Sequence, residues 1–247
     1  ARTLCYTASL VGEIADDIVN VDRALRWGFN WDLGPFEAWD AIGVADSVAR
    51  MKEDGFDVPK WVIDMVEAGT TSFYGGGEAD RTYFDVGAAK ATSVGKDPRH
   101  INIAALKENE KNIVKSNMGA SLIDLGDGCL GLEVHTKMNT VDADVVAMMM
   151  DAIAEAEQNF EALVIGNDGA AFGAGANLMM VFMAAQQKEW GQIETMISGF
   201  QNACQAMRYA KVPVVSAPFG MTLGGGAEIA MCADACQAFA ETYMGLV

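Results

Sequence analysis

The sequence predicts a multidomain chain of α + α/β class, on three observations. Helix-spaced apolar residues run through residues 1–73. A stretch rich in glycine and polar residues follows over 74–116. From Gly119 onward, short apolar strand-like runs alternate with helical patterns, and glycine-rich turns join them. These divide the chain into a helical region (1–73), a linker with short strands (74–116) and an α/β region (117–247).

Composition sets the outer limits. The 247 residues are 51% hydrophobic and 21% charged, which suits a folded chain able to bury a sizeable core. With 17 basic against 34 acidic residues, the net charge of −17 leaves no basic face for phosphates and argues against nucleic acid as a partner. The longest uninterrupted apolar stretch, around Leu178–Ala185, is far too short to span a bilayer. Ala-Arg-Thr-Leu at the start is no signal peptide, and the absence of an initiator Met suggests a fragment. Cys5, Cys129, Cys204, Cys232 and Cys236 form no CxxC pair. With only His100 and His135 beside them, no metal site is expected; buried reduced thiols fit a reducing, cytoplasmic compartment.

In the helical region, Ile14, Ile18, Val21 and Leu25 recur at helix spacing, with Asp16, Asp17, Asp22 and Arg23 assigned to the other faces. Arg26–Asp40 then holds three tryptophans and two phenylalanines in 15 residues, read as the core of a small helical domain. Gly34-Pro35 breaks the chain and starts a new helix. Val44–Glu53 and Pro59–Ala68 follow as helices, with Gly55 and Gly69 as stops. In the linker, Gly75–Asp80 is a loop, 82–86 a short strand, 93–100 another loop and Ile101–Asn112 a short helix.

The α/β region opens with a hairpin, Ala120–Leu125 and Cys129–His135, closed by Gly126-Asp-Gly128. Residues 126–131 spell G-x-G-x-x-G, but strand-forming residues follow where a dinucleotide site needs a helix. Val141–Gln158 is an amphipathic helix with methionines 148–150 as core filler, Ala162–Gly166 a buried strand, and Gln187–Ala210 a long or broken helix.

Two turns stand out as candidates for the chemistry, Phe172–Leu178 and Leu223–Glu228. Each follows a strand, enters a helix and is built from Gly and Ala, so backbone N–H groups are exposed without steric cover. Two such donors aimed at one point would stabilise charge developing on a carbonyl oxygen, that of a thioester above all. Packing contacts between helix and strand explain the glycines equally well from spacing alone.

Two resemblances bear on this. "IADDIVNVDRALRWGF" (14–29) and the tryptophan-rich segment to Asp40 resemble the C-terminal helical domain of bacterial 3-hydroxyacyl-CoA dehydrogenases. That family's nicotinamide site and catalytic His–Glu pair lie in an upstream domain, so this resemblance implies domain order rather than a dehydrogenase site here. "HTKMNT" (135–140), "LVIGNDGAAFGAGANL" (163–178) and "KVPVVSAPFGMTLGGGAEIAMCAD" (211–234) resemble, in order, the first part of the crotonase (enoyl-CoA hydratase/isomerase) family.

The second resemblance implies an incomplete crotonase-like ββα spiral. Its oxyanion-hole donors would be the N–H groups of Ala176 and Gly225. Ala174 and Gly175, with Lys137 and Met138, would lie along the coenzyme A moiety, and Glu228 would be an acid/base. Glu228 alone could also be a dipole-complementing acid. Asn177 stands where many members have Asp. The family's second glutamate would fall beyond Val247, leaving hydratase against isomerase open. Together the resemblances imply a piece of a bifunctional fatty-acid oxidation enzyme, homo-oligomeric as a whole, that acts on acyl-CoA thioesters and uses NAD outside this chain. The other readings are a non-catalytic acyl-CoA-binding or scaffold module, and a different crotonase-fold reaction on a coenzyme A thioester.

Overall fold

The computed structural model describes residues 1–97 and 100–246. The chain forms two compact units, residues 1–108 and 109–247, the first mainly helical and the second α/β.

The first unit begins with α1 (Arg2–Ser9), α2 (Ile18–Phe29), α3 (Pro35–Ile42), α4 (Val44–Glu53) and α5 (Lys60–Glu67). Helix α2 starts at Ile18 because Asp17 caps it, its Oδ1 accepting the Asn20 N–H at 2.7 Å. Ile14, expected in that helix, therefore precedes it and is exposed. Pro35 is the first residue of α3, and Gly55 and Gly69, both left-handed, follow α4 and α5. The tryptophan-rich segment splits. Phe36 and Trp39 enter the core, where Phe36 meets Phe73 edge-on at 5.0 Å, while Trp27 and Phe29 remain 78% and 72% exposed.

Asp22, expected on a polar face, is 2% exposed. Its carboxylate accepts the N–H groups of Phe36 and Glu37 and the Tyr74 hydroxyl, at 2.8, 3.1 and 2.7 Å. These bonds compensate its burial.

Residues 74–93, expected as linker, form an antiparallel meander of β1 (Tyr74–Gly75), β2 (Thr82–Asp85) and β3 (Lys90–Ser93). Phe73 and Phe84 join the first unit's core, and the Asp40 carboxylate accepts the N–H groups of Phe73 and Tyr74. Residues 98 and 99 of the next expected loop lie outside the described residues. The expected helix over 101–112 is shorter, α6 (Ile103–Lys107), with Asn102 as its cap and a separate 3-10 turn at Glu110–Asn112.

The second unit contains β4 (Ile113–Ser116), β5 (Ala120–Gly126), β6 (Cys129–Val134) and α7 (Ala143–Asn159). There follow β7 (Ala162–Ile165), β8 (Ala171–Ala174), α8 (Leu178–Gln186), α9 (Trp190–Arg208), β9 (Val214–Ser216) and β10 (Met221–Leu223). Then come α10 (Gly225–Cys232), β11 (Ala235–Cys236) and β12 (Tyr243–Gly245). β5 and β6 make the expected hairpin, with residues 126–128 all left-handed, and the G-x-G-x-x-G run continues into β6 as strand.

One sheet has the order β11-β9-β7-β6-β5-β4 and the other β12-β10-β8. From β7 onward successive strands alternate between the two sheets, β7, β9 and β11 in one and β8, β10 and β12 in the other, all pairing parallel. Helices interrupt the alternation after β8 and β10, so the chain advances as a ββα spiral. Leu122, Leu130, Leu132, Val145, Met148, Met149, Leu163 and Val214 fill the core beneath it, whereas Met150 points outward.

Candidate active site

Adjacent parallel strands end on the same edge of a sheet, and this brings the two glycine-rich turns together. β8 pairs parallel with β10, with Gly173 opposite Thr222 and Ala174 opposite Leu223. The chain leaves β8 through Gly175-Ala176-Asn177 into α8 and leaves β10 through Gly224 into α10.

The glycines serve two separate needs. Gly175 (φ +96°) and Gly224 (φ +50°) occupy left-handed backbone. Gly173 and Gly226 allow close approach: a β-carbon on Gly226 would lie 2.7 Å from the Gly173 carbonyl oxygen, and one on Gly173 3.2 Å from Gly226 Cα. At Gly225 a β-carbon would meet Val141 Cγ2 at 3.3 Å and Phe200 Cζ at 3.5 Å. Left-handed backbone and close packing therefore fall on different glycines of the same turn.

Val141 fixes the first turn from one side. Its N–H donates to the Gly175 carbonyl at 2.8 Å, and its carbonyl accepts from the Asn177 N–H at 3.1 Å. Peptide groups alternate in direction along extended chain, so the intervening Ala176 N–H points away from Val141. Gly225 is the first residue of α10, where an amide has no intrahelical partner. Among the described residues neither N–H finds an acceptor within the chain.

Glu228 stands in the first turn of α10, its own N–H donating to the Gly224 carbonyl at 3.0 Å. Its side chain is exposed, and among the described residues its carboxylate accepts no hydrogen bond. Lys137 and Met138 lie on an exposed 3-10 turn, Lys137–Asn139, with Met138 left-handed at φ 57°. Ala174 ends β8, and the Gly175 carbonyl is held by Val141.

Two asparagines not identified from the sequence position these parts. Asn139 is buried, and its Nδ2 donates to the Ala171 carbonyl at 2.8 Å, fastening the 137–139 turn to β8. Asn167 accepts the Val134 N–H at 2.6 Å and donates to the Phe172 carbonyl, bridging β6 and β8. Each sits in a loop beside a strand, and only its burial sets it apart from a solvated turn residue. Asn177 precedes α8 without capping it by its side chain.

A cavity of about 560 Å³ in the first unit offers a rival location. It is lined by Arg26, Leu33, Glu37, Tyr74, Arg81, Glu108 and the 75–78 loop. Its charged groups already have partners within the unit. Glu37 takes Arg26 at 3.1 Å and Arg81 at 2.7 Å, and Glu108 accepts the N–H groups of Glu78 and Ala79. Beside it, burial pushes the Asp22 carboxyl up to about 6, against the hydrogen bonds from Phe36 and Tyr74 that favour its charge. No helix among the described residues is long and apolar enough to cross a membrane.

Residues 129–245 match the sequence profile of the family described as enoyl-CoA hydratase/isomerase. Along its full length the chain is 44% identical to a Bacillus subtilis protein named "Probable 3-hydroxyacyl-CoA dehydrogenase", covering 31% of that protein. A Rickettsia felis protein bearing the name of a fatty acid oxidation complex trifunctional enzyme is 26% identical over 98% of the chain and 30% of the relative. The chain thus spans about a third of the curated relatives it matches. Among solved structures, an enoyl-CoA hydratase/carnithine racemase from Magnetospirillum magneticum aligns at 19% identity and TM-score 0.49, over 57% of this chain and 52% of its own. An enoyl-CoA hydratase from Polaromonas sp. JS666 aligns at 24% identity and TM-score 0.46, over 53% and 49%.

Proposed function

We propose that this chain is part of a longer fatty-acid oxidation enzyme, and that its second unit binds the acyl thioester of coenzyme A at the paired glycine turns. One observation carries this: the N–H groups of Ala176 and Gly225, on touching turns at the ends of neighbouring parallel strands, have no acceptor among the described residues. A thioester oxygen bound there would have its developing enolate charge stabilised, one such donor being worth about 3 kcal/mol of barrier. Ala174, Gly175, Lys137 and Met138 would run along the coenzyme A moiety.

Glu228 is the proton carrier in this reading. Its carboxylate is exposed in the first turn of α10, one turn beyond Gly225, where it can move a proton at the α or β carbon of the bound acyl group. The reaction class is hydration of a trans-2-enoyl thioester or transfer of a proton between carbons in a 3-enoyl thioester. The family match and the names of the relatives support both an enzyme and this substrate class.

For the whole protein we propose oxidation of the 3-hydroxy product with NAD, a homo-oligomeric state and a cytoplasmic location. The residues in hand do not fit a dinucleotide: Gly75–Gly77 lead to strand β2 rather than to a helix, and Gly126–Gly131 continue as strand β6. No step is therefore routed through NAD in these two units.

The exposed, unanchored Glu228 favours one second reading, a module that binds acyl-CoA without turning it over. The discriminating experiment is steady-state hydration of crotonyl-CoA by the longer protein and its Glu228→Gln variant. A loss of about 10²–10⁴-fold in kcat with little change in KM is expected of a general acid/base. Unchanged turnover overturns the role given to Glu228.

A further inference from the structure

The Ala176 and Gly225 amides each share a peptide group with the carbonyl of the residue before. In a trans peptide the N–H and that carbonyl point in opposite directions, and no peptide bond among the described residues is cis. Whatever holds the carbonyl therefore aims the amide. For Gly225 it is the Gly224 carbonyl, which accepts the Glu228 N–H at 3.0 Å, the first bond of α10. For Ala176 it is the Gly175 carbonyl, which accepts the Val141 N–H at 2.8 Å. This second chain extends further back. Val141 N–H shares its peptide with the Thr140 carbonyl, and that carbonyl accepts the Thr136 hydroxyl at 2.6 Å. The bonds thus run head to tail from the Thr136 hydroxyl, through the 140–141 and 175–176 peptides, to the Ala176 N–H.

The turn is shaped to close this chain. Met138 (φ 57°) and Asn139 (φ 51°) are consecutive left-handed residues, and they bring Thr140 back toward Thr136. Burial does not hold Met138 in that conformation, since it is 55% exposed. Bonds across the turn do: the Asn139 N–H donates to the Thr136 carbonyl at 2.9 Å, and Asn139 Nδ2 anchors the turn to the Ala171 carbonyl of β8. One strand therefore carries both the anchor of this turn and, at its far end, the Gly175 carbonyl that Val141 must reach.

We propose that Thr136 is a positioning residue for the Ala176 donor, its hydroxyl anchoring and polarising two linked peptide groups whose far end is the Ala176 N–H. The relay is a property of the turn alone; its value to a reaction rests on the function proposed above. Aligned hydrogen bonds polarise one another, each strengthening the next by about 10–30%. Thr136 is half-buried, so water can take over part of the Thr140 carbonyl when the hydroxyl is removed, and the relay weakens without breaking. An oxyanion donor is worth about 10²–10³-fold in kcat, so a loss of that share corresponds to about two- to eightfold. Gly225, backed by the helix ladder of α10, stands outside the relay and serves as the internal control.

The test compares the 247-residue chain with its Thr136→Val, Thr136→Ala and Thr136→Ser variants by amide NMR, then assays crotonyl-CoA hydration by the longer protein carrying the same substitutions. Where Val does not fold, Ala is read in its place. Without the hydroxyl, the Ala176 amide nitrogen resonance should move and the coupling across the Val141–Gly175 hydrogen bond should fall, while Gly225 stays unmoved. In the longer protein kcat should drop about two- to eightfold with KM unchanged, and Thr136→Ser should retain both the resonance and the rate. An unmoved Ala176 resonance overturns the relay, and so does equal movement at Gly225, which marks general loosening. A shifted Ala176 with undiminished kcat overturns the contribution to the reaction. A shifted Ala176 beside a longer protein that hydrates nothing even with Thr136 in place upholds the relay and instead defeats the proposed function.

Discussion

The N-termini of α3 in the first unit and α10 in the second solve the same problem in opposite ways. The first amides of any helix lack intrahelical partners. At α3 the chain closes them off: Pro35 has no N–H, Asp22 takes those of Phe36 and Glu37, and Glu37 accepts from Gly34 at 2.9 Å. At α10 the first residue is Gly225, whose N–H has no acceptor among the described residues, and no side chain caps it. A helix start sealed by its own carboxylate contributes to stability, whereas one left open is available to a ligand. The first unit's polar network thus closes a helix start, while the second unit's glycine turn leaves one open, as the site proposed above requires.

Breaking the seal should have the largest effect on folding. Asp22→Ala strands two amides and the Tyr74 hydroxyl, and should destabilise the first unit by about 2–4 kcal/mol in urea unfolding. Tryptophan fluorescence suits that unit, since Trp39 and Trp61 pack in its core.

Crowding the open turn should cost less. Gly226→Ala places a methyl group 2.7 Å from the Gly173 carbonyl oxygen, and the strand must shift to admit it. A loss of about 1–3 kcal/mol is expected in the second unit's unfolding, as for other overpacked sites. An unchanged midpoint would show that the turns do not touch as described.

The smallest effect is on pH dependence, and it differs between the units. Asp22 has its folded pKa raised to about 6 by burial, above an unfolded value of about 3.9, so the folded state binds the proton more tightly. The associated stability is fully present below about pH 4 and is lost as pH rises through about 6. Asp40 shifts in the same direction, also through burial. In the second unit, Glu157 is lowered by its hydrogen bonds from Lys211, so its contribution is lost on acidification. Urea midpoints at pH 5 and pH 7.5 should therefore show the first unit gaining at the lower pH, and Asp22→Asn should flatten that gain.

Local chemistry explains what could be read from the letters. Gly34-Pro35, Gly55, Gly69 and Gly126–Gly128 each state a backbone conformation that the chain then adopts. The run Gly224–Gly226 announces a close approach, and the close approach is there. Asp22 was less legible. It lies at i+4 from Ile18, so its helical position faces the core, but its charge argues for solvent unless its three partners, 14 to 52 residues away, are known. The same holds for Asp40, whose acceptors' partners are the amides of Phe73 and Tyr74, 33 and 34 residues on. Those bonds help draw the 74–93 stretch into a packed meander, and local composition contains no trace of them. Trp27 and Phe29 show the converse, since aromatic content alone says nothing about which ring is turned inward.

The most direct test of the central claim follows the amide resonances of the reduced chain by NMR during titration with crotonyl-CoA. The account predicts that the N–H signals of Ala176 and Gly225 shift together, with one shared Kd, and become protected from exchange, while Phe36 and Glu37 stay unperturbed. Unmoved Ala176 and Gly225 signals at saturating thioester would contradict it.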